Sequence, residues 1–341
     1  MTVPPPETER AWAGAVRPTG GEASLGRRRL GRSGVWVTPL MLGGAPLGGL
    51  FAPVSDADAR ATLDAAWDAG VRAFDTAPHY GVGLSESRLG RFVAAHPRPD
   101  VVVSTKVGRL LVPTDEDTDG VDGFYGTPRL RRARDYSASG VRRSIEESCA
   151  RLGVEGVDIA LVHDPDDHFT EALDQAIPAL AELKAQGVVA AVGVAMNQTA
   201  MLEQFVRRAE IDCVLVAGRW SLLDRSAGEA LLPLCLEHGV GVLVAGVLNS
   251  GILADPRPGA TYDYKPAPAQ QLAAARRLQD ICARYGVPLR AAALQWPLRH
   301  AAVTATVVGA RSPEELSDDV DDMGGALPDD LWDELDELRL P

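Results

Sequence analysis

Between Ser55 and Gly81 the chain runs SDADARATLDAAWDAGVRAFDTAPHYG, and this stretch contains one complete unit of a repeating pattern. Ser55 is an N-cap residue type ahead of Asp56–Ala69, where apolar residues recur at helical spacing. Gly70 follows, where a helix ends most easily in a left-handed residue. Val71–Thr76 is then a short apolar run, the signature of a strand buried on both faces. Its last residues turn polar and continue into Pro78, His79 and Tyr80.

The same unit recurs on both sides. Candidate strands are Pro39–Gly43, Val71–Thr76, Val101–Lys106, Val157–His163, Val189–Val194, Cys213–Ala217, Gly241–Ala245 and Thr304–Val308. Candidate helices are Asp56–Ala69, Ser85–Ala95, Ser139–Leu152, Thr170–Gln186, Gln198–Ala209, Ser226–His238, Ala269–Tyr285 and Pro313–Val320. Gly70, Gly153, Gly187, Gly239 and Gly286 mark helix ends, and Ser55, Ser139 and Ser312 mark helix starts. Strands alternating with helices over one compositionally even stretch predict an α/β fold, a single (β/α)₈ TIM barrel over residues 26–341. A doubly wound open sheet is the alternative. Gly43, Gly44, Gly48 and Gly49 lack the GxGxxG spacing that it needs after its first strand. Arg28–Leu30 and Val35–Val37 flank Gly31-Arg32-Ser33-Gly34 as an N-terminal β-hairpin cap on the barrel floor.

Composition narrows the function classes. The chain has 341 residues, 46% hydrophobic and 24% charged, enough for a full core without metals or disulfides. Its 47 acidic against 34 basic residues give a net charge of −13, which argues against nucleic acid and anionic membranes as partners. Cys149, Cys213, Cys235 and Cys282 form no metal-ligand or CxxC pair and are expected as packed thiols, so no metal is expected. Residues 1–25 carry Pro and Glu where a signal peptide needs an apolar run, and are expected as a flexible tail on a cytoplasmic protein, monomeric or a small homo-oligomer.

Strand C-termini converge on one mouth of a barrel. That brings Asp75 and Tyr80 (second strand), Lys106 (third) and His163 (fourth) together across almost ninety positions. A Lys ammonium favours a neighbouring phenolate, so Lys106 is expected to lower the Tyr80 pKa while Asp75 holds the lysine charged. His163 is placed to orient a substrate oxygen. Such a site exchanges a proton with a carbonyl or carbinol oxygen. Two long connections, Gly108–Tyr136 and Val247–Pro268, leave the same mouth. Phe51, His79, Phe124, Tyr125, Tyr262 and Tyr264 are expected to line substrate loops there.

The motifs FDTAPHYG, STKVG, VHDPD, GVAMNQ and VVGARSPEEL resemble those of the aldo-keto reductases, and the likeness extends over nearly the whole chain after residue 25. It is closest to a branch of NAD-linked D-threo-aldose (L-fucose) dehydrogenases, with pyridoxal 4-dehydrogenase as a neighbour. The resemblance implies a nicotinamide cofactor extended across the barrel mouth and a catalytic tetrad of Asp75, Tyr80, Lys106 and His163. It places Asn197 and Gln198 at the carboxamide, with Trp220 beside the ring. Gly246, Val247, Leu248, Asn249 and Gly251 fall at the pyrophosphate, and Gly309, Arg311, Glu315 and Asp319 at the adenosine end. The acidic residues there favour NAD over NADP, because close carboxylates repel a 2′-phosphate. The implied activity is oxidation of an aldose such as L-fucose at C1 to the lactone. The alternatives are an NADPH-dependent carbonyl reductase and a cofactor-sensing regulatory subunit.

Overall fold

In the computed structural model, which describes residues 25–338, the chain forms a closed barrel of eight parallel strands. β1 (Arg28–Arg29) and β2 (Trp36–Val37) pair antiparallel as the expected hairpin. The barrel begins with β3 (Leu40–Gly43), followed by α1 (Asp56–Asp68), β4 (Ala73–Asp75), α2 (Leu84–Val93) and β5 (Val102–Val107). A second hairpin, β6 (Arg109–Pro113) with β7 (Leu130–Arg134), rises from β5. Next come α3 (Ala138–Leu152), β8 (Val157–His163), α4 (Phe169–Glu171), α5 (Ile177–Ala185), β9 (Val189–Met196), α6 (Thr199–Arg208), β10 (Cys213–Ala217), α7 (Leu231–His238) and β11 (Gly241–Ala245). The last connection carries β12 (Thr261–Tyr262), β13 (Lys265–Pro266), α8 (Ala269–Arg284) and α9 (Leu289–Gln295) before β14 (Val303–Gly309), α10 (Pro313–Gly324) and α11 (Asp329–Glu337). Around the barrel the order is β3-β4-β5-β8-β9-β10-β11-β14.

All eight predicted strands are present, displaced by at most two residues at either end. The five marker glycines all have positive φ. Two of the predicted N-caps hold: Ser55 accepts from the amide of Asp58, and Ser312 from that of Glu315. The third is corrected, since Ser137 rather than Ser139 accepts the Gly140 amide and starts α3. The predicted helix Thr170–Gln186 is interrupted by a π-helical turn over Ala172–Ala176, beside Pro178, which has no amide to continue the regular ladder. The helix expected over Ser226–His238 has a separate 3₁₀ turn at Ser226–Gly228. Of the expected tail, residues 1–24 lie outside the described residues.

Three apolar layers hold the barrel in shape. Met41, Ala73, Val102, Ile159, Leu161, Ala195, Leu215, Leu243 and Ala305 fill its interior, and Leu30, Val35 and Val37 of the hairpin belong to the same cluster, closing the floor. A larger layer lies between strands and helices, and a third joins α8, α9 and α11. Behind the mouth, Glu86 of α2 is fully buried and paired. Thr105 Oγ1 donates to it at 2.7 Å and Arg151 Nε at 2.6 Å, which ties α2, β5 and α3 together next to Lys106.

Breaking a buried pair from one side leaves an uncompensated charge. Arg151→Met is therefore expected to cost about 3–5 kcal/mol in urea unfolding. Arg143→Met, at the exposed Arg143–Glu147 pair, is expected to cost about 1 kcal/mol or less. Equal losses in the two variants would contradict the structural role assigned to Glu86.

Candidate active site

Asp75 ends β4 and Lys106 lies near the end of β5, with Asp75 in register with Ser104 on the neighbouring strand. Lys106 Nζ donates to Asp75 Oδ2 at 2.6 Å, to the carbonyl of Thr76 at 3.0 Å and to Tyr80 Oη at 3.0 Å. An ammonium has three protons, so every donor is used and the geometry is fixed. Ser104 Oγ donates to the other oxygen of Asp75 at 2.8 Å. Burial opposes the charge on Lys106, yet Asp75 and Tyr80 outweigh it and hold the ammonium above its ordinary pKa.

Tyr80 reaches this position through a close backbone approach. A Cβ on Gly81, at φ +60°, would lie 2.2 Å from the carbonyl oxygen of Gly48, so only glycine fits there. The expected lowering of the Tyr80 pKa is corrected. Burial pushes it up to about 12, because the loss of solvation and the negative charge of Asp75 outweigh the pull of Lys106. In this state Tyr80 is a protonated phenol, a proton donor held on an ammonium.

His163, the last residue of β8, stands edge-on to the Tyr80 ring at 5.9 Å. Burial, followed by the charges of Arg109 and Lys106, drives its pKa well below the ordinary value and keeps the imidazole neutral. The fully buried Tyr136 holds the backbone beneath it, its one hydroxyl proton shared between the carbonyls of His163 (2.6 Å) and Asp164 (2.7 Å). His79 lies 5.7 Å from His163, ring to ring, and its Nδ1 is buried without a partner among the described residues. Burial and the cations Arg109, Arg132 and Lys106 lower its pKa to about 2.

The aromatic loops divide into two groups. Phe124 stacks on Tyr80 at 6.2 Å and meets His79 edge-on at 5.2 Å. Phe51 pairs with Tyr264 at 6.0 Å, and the amides of Phe51 and Tyr125 join the first loop to the third by bonding to Gly123 and Gly49. The other two aromatic side chains point elsewhere. The Tyr125 ring lies over Gly120, and the Tyr262 hydroxyl turns to Asp224 at 3.5 Å beside the α8 layer. Four neighbours of the quartet were absent from the sequence expectation: Arg109, Arg132, Tyr136 and Asp164. Only Asp164 carried a signal, as the residue after His163 in the VHDPD motif.

Further round the rim the chain offers polar groups with spare hydrogen-bonding capacity. No hydrogen bond among the described residues uses the side chains of Asn197 and Gln198 after β9, or the amides of Val247, Leu248 and Ser250 after β11. Gly246, Asn249, Ser250 and Gly251 all have positive φ, and the amides of Asn249 and Gly251 close the turn onto Gly246 and Leu248. Asn249 is buried and its Nδ2 donates to the Gly218 carbonyl at 3.4 Å, so its unpartnered Oδ1, an acceptor, offers nothing to an anion; a Cβ on Gly251 would meet nothing within 4 Å. The unused amides and the open approach at Gly251 fit an extended pyrophosphate ligand, whereas the side chains of Val247 and Leu248 contribute apolar packing. Trp220 is committed to packing. Its Nε1 donates to Pro297, its ring lies 4.5 Å from Trp296, and Gly228 fits under its edge. Its expected place beside a nicotinamide ring gains no support from these contacts. At the end of β14, Gly309 packs against Pro46, and Glu315 accepts from both the amide (3.0 Å) and the guanidinium (2.9 Å) of Arg311. Asp319 is buried on α10, and burial raises its pKa to about 7.

His79 is kept neutral in the folded chain but titrates near its ordinary value when unfolded, so the unfolded state binds more protons below about pH 6.5. The contribution of His79 to stability is therefore expected to fall as pH drops from about 6.5 towards 5, whereas that of Asp319 rises over the same range. His79→Gln is expected to reduce that slope by up to about 1.4 kcal/mol per pH unit, measured by urea unfolding of both proteins across the range. Identical slopes would contradict a neutral His79.

A model of the family described as "Aldo/keto reductase family" matches residues 39–340. The chain is 43% identical to D-threo-aldose 1-dehydrogenase of a Pseudomonas species over 317 residues, covering 90% of this chain and 96% of that protein. It is also 43% identical to pyridoxal 4-dehydrogenase of Microbacterium luteolum over 326 residues, 90% and 95% of the two chains. Among solved structures, glycerol dehydrogenase of Gluconobacter oxydans superposes with a TM-score of 0.73 at 26% identity, covering 92% of this chain and 94% of that one. With a matching family model across the barrel and named dehydrogenases among its relatives, the chain belongs to the aldo/keto reductase family and is an NAD(P)-dependent oxidoreductase.

Proposed function

We propose that the enzyme oxidises a cyclic hemiacetal, an aldose such as L-fucose at C1, to the lactone, with NAD⁺. The observation that carries the chemistry is the three-way bonding of Lys106 to Asp75, Thr76 and Tyr80 beside a neutral His163. In this reading Tyr80, His163, Lys106 and Asp75 are the catalytic residues. A bound nicotinamide would accept or supply the hydride, held by Asn197, Gln198, the Gly246–Gly251 turn and the Arg311–Glu315 segment. The neutral His163 donates to the reacting oxygen and fixes its position. Tyr80 Oη exchanges the proton with that oxygen, and Lys106 stabilises the phenolate whenever it forms. Asp75 keeps Lys106 charged and aimed.

The aldose reading rests on the 43% relative and on the aromatic walls formed by Phe51, Phe124 and Tyr264, which suit the apolar face of a sugar ring. Pyridoxal is an equally close precedent. Both are aldehydes carrying an internal hydroxyl placed to close a ring, so the cyclic hemiacetal is the form that offers a carbinol C–H in each case. A second reading, NADPH-dependent carbonyl reduction, draws on the protonated state of Tyr80, which suits donation to a carbonyl. The preference for NAD draws on Glu315, which neutralises the Arg311 guanidinium that a 2′-phosphate would need. The four free thiols suit a reducing compartment, in keeping with a cytoplasmic location. No helix among the described residues is long and apolar enough to cross a membrane.

Tyr80→Phe is expected to lower turnover about 10²–10⁴-fold and to retain cofactor binding, read by fluorescence titration with NADH. Full activity in that variant would refute the role of Tyr80. Glu315→Gln releases Arg311 and is expected to shift the kcat/KM ratio towards NADP by about tenfold, roughly the worth of one charge-assisted bond. An unchanged ratio would remove the basis for NAD preference. A nicotinamide-absorbance screen of L-fucose, pyridoxal and simple aldehydes with both cofactors tests the substrate class.

A further inference from the structure

Directly after His163, the chain takes an unusual turn at Asp164. Its φ is +44°, a left-handed conformation that few residues other than glycine adopt. Three contacts hold it there: its amide donates to Ala195 at 2.9 Å, its carbonyl accepts from Tyr136, and Oδ2 accepts from Arg109 Nη2 at 2.6 Å. Arg109 comes from the first residue of β6, so the long hairpin of the third loop is what clamps the carboxylate. Oδ2 also lies 3.6 Å from His163 Nε2, too far to use up the imidazole proton. Oδ1 has no hydrogen-bond partner among the described residues, and the side chain is 31% exposed. A strained, half-buried anion with one oxygen clamped and the other free is costly to maintain for the fold alone.

We propose that Asp164, clamped by Arg109, is a specificity-determining acceptor for a substrate hydroxyl on the carbon next to the reacting carbon. The inference rests on the reading of His163 as the residue that holds the reacting oxygen. An oxygen bonded to His163 Nε2 lies next to the Asp164 carboxylate, and a hydroxyl one carbon away is placed to donate to Oδ1. The substrate class is thus a carbonyl, or its hemiacetal, with a vicinal hydroxyl. Tyr264, whose hydroxyl feels the Asp164 charge, lies over the same side of the mouth. Arg109 is a positioning residue, since it acts through Asp164. Substrates lacking the hydroxyl leave Oδ1 desolvated and without a partner, a form of discrimination open to a polar site.

The test compares pairs that differ only in that hydroxyl. Lactaldehyde against propanal is measured with the reduced cofactor, and L-fucose against 2-deoxy-L-fucose with the oxidised one. Wild type is expected to favour the hydroxylated member, and Asp164→Asn to reduce the kcat/KM ratio within the aldehyde pair about 10–100-fold, the worth of a hydrogen bond to a charged group. Arg109→Met is expected to move the ratio in the same direction by less, and it carries the comparison if Asp164→Asn does not fold. An absent preference in wild type, or an unchanged ratio in the variants, would overturn the proposal. Equal losses on both members would also overturn it, because support of His163 alone predicts that result. A wild type that reduces the aldehydes but oxidises neither sugar refutes the hemiacetal reading, while the aldehyde ratio still decides the role of Asp164.

Discussion

The site depends on one buried ion pair, Asp75 with Lys106. Placing two charges where side chains are 1% and 3% exposed is expensive, and their attraction offsets the cost only if each remaining lone pair and proton is satisfied. Here that condition is met. Ser104 serves the second carboxylate oxygen, and Thr76 and Tyr80 take the other two ammonium protons. The pair therefore orients Tyr80 as a consequence of its own satisfaction, because the phenol oxygen is the third acceptor that the ammonium needs. Arginine would not serve, since its planar fork cannot direct three bonds from one nitrogen. Of 34 basic residues only three are lysine, and one of these occupies this position.

Around that pair the mouth gathers three cations, each set against a carboxylate: Lys106 with Asp75, Arg109 with Asp164 and Arg132 with Asp122. Lys106, Arg109 and Arg132 all depress the pKa of His79, and the first two depress that of His163. The chain's net charge of −13 therefore says little about this region, where three cations of the third strand and its loop act on the two histidines at close range. The same cations favour a reacting oxygen as negative charge develops on it. The neutral imidazole is a consequence of burial first and of these cations second, and in the proposed reading it leaves His163 a hydrogen-bond donor that does not compete for the Tyr80 proton.

The barrel was legible because its signals are local: glycine at helix ends, serine at two helix starts, and apolar runs of strand length. The ion pair was legible because strand ends converge in that architecture, so Asp75 and Lys106 could be matched without knowing a distance. Other features depended on tertiary context. The β6–β7 hairpin spans a segment rich in glycine and charge, and its strands Arg109–Pro113 and Leu130–Arg134 are paired across a gap that no short turn signature marks. The helix Leu289–Gln295 is only seven residues between two prolines, too short to declare a period. The sign of the Tyr80 shift is not legible in sequence, because burial, which a sequence does not state, exceeds the effect of the lysine. Arg109 and Asp164 are 55 positions apart and meet only because the hairpin folds back over β8.

The two ends of the rim divide the work. At the Arg311–Glu315 end, the proposed cofactor contacts are exposed groups, both more than two-fifths accessible, so their energies are modest and a single substitution retunes them. At the Asp75–Lys106 end, the groups are buried and mutually satisfied, so any substitution is felt by all of them. Between these extremes lies the Asp164–Arg109 pair, clamped yet partly open to solvent. Under the proposed reading, a residue in that position changes which substrate is accepted and leaves the Lys106–Tyr80 bond untouched, because Asp164 makes no hydrogen bond to either. Chemistry is fixed where the lattice of bonds is closed, and selectivity is free to vary where one oxygen of a carboxylate is left open.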